Sequence, residues 1–210
     1  MEEVLDVYVK PYDPQRPVVC MDESNKQLIK DVTESLPMRP GSAQKYDTEY
    51  ERNGTANIFI AFEPLQGIRF TQVTEQRTKQ DWANFIRDLV DKDCYKSVDK
   101  IVLVMDNLNT HHKSSLYATF EPSEAKRIAD RLEVHYTPVH GSWLNMAEIE
   151  LSHLSRQCLD RRLGDKQTIS EEIEAWTEAR NQKQVAVDWQ FTATDARIKL
   201  KKLYPSLVVR

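Results

Sequence analysis

Apolar residues fall in short runs separated by amphipathic stretches, and the two periods divide the chain into strands and helices. Pro17–Asp22 is an apolar run ending in acids and reads as a buried strand. Residues 31–54 are polar and carry Pro37, Pro40, Gly41 and Gly54, so loops with room for one short strand are expected there. Ala56–Phe62 is strand-like, Glu63–Gly67 supplies a turn, and Ile68–Val73 is the hairpin partner. Thr78–Val90 places Trp82, Phe85, Ile86 and Leu89 at helical spacing. Lys100–Met105 is the strongest buried strand and ends on Asp106. A helix over Glu124–Leu132 and a strand over Val134–Tyr136 follow. Next comes a long helical pattern over Leu144–Leu163, stopped by Gly164. Ile169–Arg180 and Thr194–Leu203 read as further helices. Residues 1–16, punctuated by Pro11 and Pro14, read as an extended lead-in or linker, leaving 17–210 as the folded domain. A hairpin followed by alternating strands and helices predicts an α/β fold, a mixed five-stranded sheet flanked by helices.

Composition narrows the class. With 210 residues, 40% apolar and 30% charged, the chain has the make-up of one globular α/β domain. It lacks the run of about 18 apolar residues that a membrane helix needs, so no membrane partner is expected. Cys20, Cys94 and Cys158 are odd in number and widely spaced, which suits neither a disulfide framework nor a zinc knuckle and points to a reducing cytoplasm. The five histidines fit no common zinc spacing. The net charge of −4 weighs mildly against nucleic acid as a partner.

The acids change that picture. Asp22 and Asp106 each close an apolar run, so each is expected at the carboxyl end of a strand, the edge where open α/β sheets hold ligands. Glu148 follows the last strand on a helix. The separations, 84 and then 42 positions, can be closed only by the fold. Three clustered carboxylates repel one another unless a cation neutralises them, and an all-oxygen set suits Mg²⁺ or Mn²⁺. Two such ions about 4 Å apart can activate a water or 3′-hydroxyl and stabilise the leaving oxygen of a phosphodiester. An acid after a strand also reads as a helix cap or a solvated loop residue, and spacing by itself leaves both readings open. Two neighbours compete. Alternation points Glu23 away from Asp22, and Glu150 lies about 200° around the helix from Glu148.

Here the residues resemble a family. Val19–Glu23, Val104-Met-Asp-Asn-Leu-Asn-Thr-His111 and Tyr136-Thr-Pro-Val-His-Gly-Ser-Trp-Leu-Asn-Met-Ala-Glu148 look like the three catalytic blocks of mariner-like DDE transposases, particularly the bacterial insertion-sequence branch. The resemblance covers roughly residues 17–205. It implies an RNase H-like fold and two-metal DNA cleavage at transposon ends using Mg²⁺ (or Mn²⁺). It also implies strand transfer into target DNA at TA, two copies in the working complex, and a bacterial cytoplasmic setting. Asp22, Asp106 and Glu148 match the family's metal-binding catalytic acids, and Glu148 is preferred because it follows Asn145 by three positions. The gap from Asp106 to Glu148 exceeds that of the eukaryotic relatives, with the extra residues placed in Tyr117–Ser123. The family's helix-turn-helix modules are not recognised ahead of Asp22, so the chain is expected to be an excised catalytic domain or part of a split transposase.

The resemblance gives supporting roles to Asn107, His111 and Asn145. His111 would contact a scissile phosphate or order the site, Asn107 and Asn109 would cap the next helix or hold waters, and Asn145 would fix the start of the Glu148 helix. Trp143 would pack on the sheet or stack on a flipped base. Three basic groups (Lys126, Arg127 and Arg131; Arg156, Arg161 and Arg162; Arg197, Lys199, Lys201 and Lys202) read as solvated faces before they read as DNA grooves. Two other classes stay open: a nuclease of this fold that does not join strands, and a catalytically silent assembly or DNA-binding domain. A haloacid-type phosphatase does not fit, because Asp22 lacks a second aspartate two positions on.

Overall fold

The computed structural model describes residues 1–33, 36–43, 45 and 47–204. Its centre is a five-stranded sheet in the order β3-β2-β1-β4-β5. The strands are β1 (Val18–Asp31), β2 (Tyr50–Glu63), β3 (Ile68–Thr74), β4 (Ile101–Met105) and β5 (Leu132–Tyr136). β1 pairs antiparallel with β2 and β2 with β3, whereas β4 runs parallel to both β1 and β5. This is the expected mixed sheet.

Residue parity along β1 and β4 divides the core in two. Val19, Met21, Leu103 and Met105 face one side, where α2 (Lys79–Val90), α3 (Lys113–Thr119) and α4 (Pro122–Asp130) pack. Cys20, Val102 and Val104 face the other, under α1 (Glu2–Tyr8), α5 (Ala147–Leu154) and α7 (Ala193–Lys199). Further along the hairpin, Leu28, Ala56 and Ile58 pack with Leu154, Leu159, Ile169 and Ile173, bringing in α6 (Lys166–Gln182).

Several expectations need correction. Glu2–Tyr8 is a helix, not an extended linker, and Val4, Leu5, Val7 and Tyr8 are buried in the second cluster. The prolines at 11, 14 and 17 mark only the connection after it. β1 and β2 run well beyond their apolar halves, because their polar halves pair with each other out to Asp31 and Tyr50. The loop expected over 31–54 therefore shrinks to the residues between them, of which 34, 35, 44 and 46 lie outside the described residues. α3 has seven residues and two buried side chains, too few to leave a periodic signal. The long helix predicted over Leu144–Leu163 is three pieces: a 3₁₀ turn at Ser142–Leu144, α5, and a π-helical turn at Ser155–Leu159. Such π turns gather at functional sites.

Candidate active site

The parallel register of β1 and β4 aligns Val18 with Val102 and Cys20 with Val104. Asp106 follows the carboxyl end of β4, but Asp22 is not at a strand end as expected: it lies within β1, two residues past the last β1–β4 pair, because β1 continues to Asp31 on its pairing with β2. Glu148 sits in the first turn of α5. It lines an open cleft of about 350 Å³ together with Asp22, Glu23, Ser24, Leu151 and Ser152. A more enclosed cavity of about 240 Å³, lined by Tyr12, Arg16, Val18, Glu63 and Val102, lies at the opposite edge where β1 and β4 begin.

Electrostatics ties the three acids together. Burial pushes the Asp22 carboxyl up to about 7, against the pull of a hydrogen bond from the Glu23 amide, and the charges of Glu23, Asp106 and Glu148 raise it further. Asp22 and Glu148 thus share a cleft, and Asp106 lies within electrostatic reach of Asp22.

Each supporting residue has a definite place. Asn145 is buried; its Nδ2 donates to the Met21 carbonyl at 2.8 Å and to Asp22 Oδ2 at 3.2 Å. Its Oδ1 accepts from the Ala147 amide at 3.1 Å, so one side chain joins the start of α5 to the end of β1. His111 is buried against Trp82, with ring centroids 5.9 Å apart. Its Nδ1 hydrogen-bonds Asp106 Oδ1, and its Nε2 lies 3.0 Å from Glu23 Oε2, an ion-pair contact without hydrogen-bond alignment. Burial alone would lower the imidazole pKa. The contacts with Asp106 and Glu23 outweigh it and raise the pKa to about 9, so His111 is a cation held between two carboxylates. Burial would raise the Asp106 carboxyl, but the hydrogen bond and charge of His111, with the Leu108 amide and the charge of Arg77, outweigh it and hold the carboxyl below the usual range.

Asn107 and Asn109 are exposed, and neither caps α3, whose N-cap position is His112. Trp143 packs not on the sheet but against Trp189, at 6.4 Å between near-parallel rings, and edge-on to Phe191, and is 40% exposed.

The rival acids have partners of their own, although Glu23 also borders the cleft. The Glu23 side chain is 4% exposed and turns to the α2 side, toward His111. Glu150 is fully buried, and both its oxygens are taken by guanidiniums of Arg69 and Arg180. Sequence reasoning missed these two arginines, because an arginine on an apolar hairpin and another on an amphipathic helix announce nothing separately. It also missed Arg77. This side chain is 59% exposed, has Nη1 4.0 Å from Glu23, and lowers the Asp106 carboxyl pKa by its charge.

The family model for DDE superfamily endonucleases matches residues 17–170, most of the chain and the span within which Asp22, Asp106 and Glu148 fall. The chain belongs to that family. No curated protein matches it. Among solved structures, it is similar to the Mos1 mariner paired end complex with Mn, at 14% identity and a TM-score of 0.58, over 88% of this chain and 55% of that one. It is also similar to a pre-cleavage Mos1 transpososome, at 15% identity and a TM-score of 0.54, over 90% of this chain and 60% of that one. At such identities the likeness is one of fold, and the fold is RNase H-like. The chain spans a little over half the length of these neighbours. Family and fold agree with the catalytic domain of a DDE transposase.

A divalent ion fits the donor chemistry of Asp22, Asp106 and Glu148. All donors are carboxylate oxygens, Asp22 is disfavoured as an anion by burial and then by its acidic neighbours, and Asp106 has one oxygen held by His111 while its side chain stays 41% exposed. Their spacing is looser than ligation requires: among the described residues, no three His, Cys, Asp or Glu are gathered tightly enough to hold a metal ion. Again among the described residues, no helix is long and apolar enough to cross a membrane.

Proposed function

We propose that this domain cleaves DNA at transposon ends and transfers the freed 3′ ends into target DNA, at TA, using two Mg²⁺ ions for which Mn²⁺ can substitute. The observation that supports the reading is the cleft that Asp22 and Glu148 both line, next to the end of the parallel β1–β4 pairing that Asp22 and Asp106 follow. Bound dications would supply an activated water or 3′-hydroxyl and neutralise the charge developing on the leaving oxygen. Asp22, Asp106 and Glu148 would hold them. His111 fixes one oxygen of Asp106 and leaves the other for a ligand. Asn145 keeps the Asp22 carboxylate and the α5 N-terminus in one geometry. Arg77 is placed to meet a phosphate beside the acids, which lowers the cost of bringing a polyanion to a negative edge.

The working complex would hold two copies, one per end, in the bacterial cytoplasm on chromosomal or plasmid DNA. The likeness to Mos1 complexes, one of them named with Mn, supports DNA and divalent metal as partners. The test offers the protein a pre-cut end and a TA-containing target with Mn²⁺. Joined products that vanish in Asp106→Asn support the reading. Nicking without joining leaves a nuclease that does not transfer strands, and neither product, with the protein folded, leaves an assembly domain.

A further inference from the structure

Glu148 and Glu150 stand two residues apart on an eight-residue helix, hence about 200° apart around it. Glu148 faces the cleft. Glu150 faces the molecule's interior, where Arg69 on β3 donates to it through Nε at 2.5 Å and Nη2 at 3.0 Å. Arg180 on α6 donates through Nε at 3.0 Å and Nη2 at 2.8 Å. Arg69 and Glu150 have no exposed side-chain surface, and Arg180 only 13%.

The surroundings are built to hold these groups. Arg69 also donates to the carbonyls of Gly67 and Val185. Its guanidinium lies 4.6 Å over the Phe62 ring, and that of Arg180 lies 5.2 Å over Trp176. Asn181, beside Arg180, closes both backbone hydrogen bonds of Arg69, at 2.8 and 2.9 Å. Gly67 has φ +63°, and a Cβ there would stand 2.6 Å from the Gln184 backbone, so the hairpin turn is pressed onto the end of α6 where Arg69 is received.

A buried Arg–Glu–Arg cluster is poor evidence for stability, because well-packed apolar residues often do as well or better. Its geometry does something apolar packing cannot: two bidentate forks fix one carboxylate in both position and plane. We propose that Arg69 and Arg180, acting through Glu150, are positioning residues that set the rotation of α5 and hold Glu148 against the other two acids before metal arrives. A helix with no side-chain hydrogen bond from its N-cap residue, carrying an acid toward like charges, tends to roll away. One residue of roll is 100°, enough to take Glu148 out of the cleft. Asn145 holds the helix start, and the double fork holds its back. This rests on the proposed role of Glu148.

The test is Mn²⁺ binding by calorimetry, with Mn²⁺-dependent nicking of supercoiled plasmid in parallel, for wild type, Arg180→Lys, Glu150→Gln and Glu148→Gln. Lysine keeps the charge and loses the fork, at a rim position where folding should survive. Arg180→Lys and Glu150→Gln should weaken Mn²⁺ binding by about tenfold or more and shift the metal midpoint of nicking equally, with much of the rate regained at saturating metal. The triple variant Arg69→Met, Glu150→Leu, Arg180→Met keeps a packed core; it should fold and show the same weakening. Folded variants that bind Mn²⁺ as tightly as wild type overturn the inference. A Glu148→Gln variant with wild-type binding and nicking overturns the underlying reading of Glu148 instead, whatever the arginine variants do.

Discussion

Two acidic regions lie on either side of α5 and use the same residue types to opposite effect. At the cleft, the Asp22 carboxyl has no cation of its own among the described residues: burial, with the charges of Glu23, Asp106 and Glu148, raises it to about 7. Behind the helix, Glu150 is more deeply buried, yet its carboxyl is held below the usual range, because Arg69 and Arg180 outweigh the burial. The first region leaves the burial of one carboxyl unanswered. The second is complete without any ligand. Unbalanced burial of charge marks where chemistry is expected, and balanced burial marks the frame that supports it.

The largest expected effect is at the cleft. Glu148→Gln should reduce Mn²⁺-dependent nicking to background while leaving the melting temperature unchanged or higher. A gel assay beside a thermal melt checks both, and a folded variant with wild-type nicking would break the contrast. Next comes the frame. Arg69→Met alone leaves Glu150 buried with only Arg180 to answer it and should cost about 3–5 kcal/mol, read by denaturant unfolding. Because the folded Glu150 carboxyl is depressed, its contribution is present above about pH 4.5 and is lost as pH falls through the folded value. The wild type should therefore weaken on acidification below pH 4.5, and the apolar triple variant should lack that component.

Asp22 behaves the other way. Its folded carboxyl is raised, so the stability linked to it is whole below about pH 3.8 and is lost as pH rises toward 7. Asp22→Asn should raise apo-protein stability at pH 8 by about 2 kcal/mol, and Mn²⁺ should stabilise the wild type more than the variant. An Asp22→Asn protein that melts lower would make Asp22 structural. The smallest effect is on the surface: breaking the exposed Lys126–Asp130 pair with Lys126→Ala should change stability by less than about 1 kcal/mol.

What the sequence disclosed follows the same division. Strands buried on both sides, such as β4, leave a continuous apolar run, and the acid after it was legible as a strand end. Helical geometry alone separates Glu148 from Glu150. The polar halves of β1 and β2 were not legible, since their pairing leaves little apolar alternation. Glu2–Tyr8 was missed because three prolines after it outweighed four apolar residues within it. Arg69, Glu150 and Arg180 come from three separate elements, and nothing in their local sequence shows that each completes the others. The basic clusters read as solvated faces are largely engaged at the surface: Arg127 with Asp91 and Glu124, Arg161 with Glu172, Arg162 with Asp31, and Arg197 with Glu2.

The proposed function requires Asp22, Asp106 and Glu148 to hold the metal together. A crystal structure of the protein grown with Mn²⁺, with ions placed by anomalous scattering, decides this. Mn²⁺ is expected on Asp22, Asp106 and Glu148, with Asp106 still hydrogen-bonded to His111 and Glu150 still held by both arginines. Mn²⁺ bound by Glu23 or Glu150, or Glu148 turned out of the cleft in the metal-bound state, would contradict it.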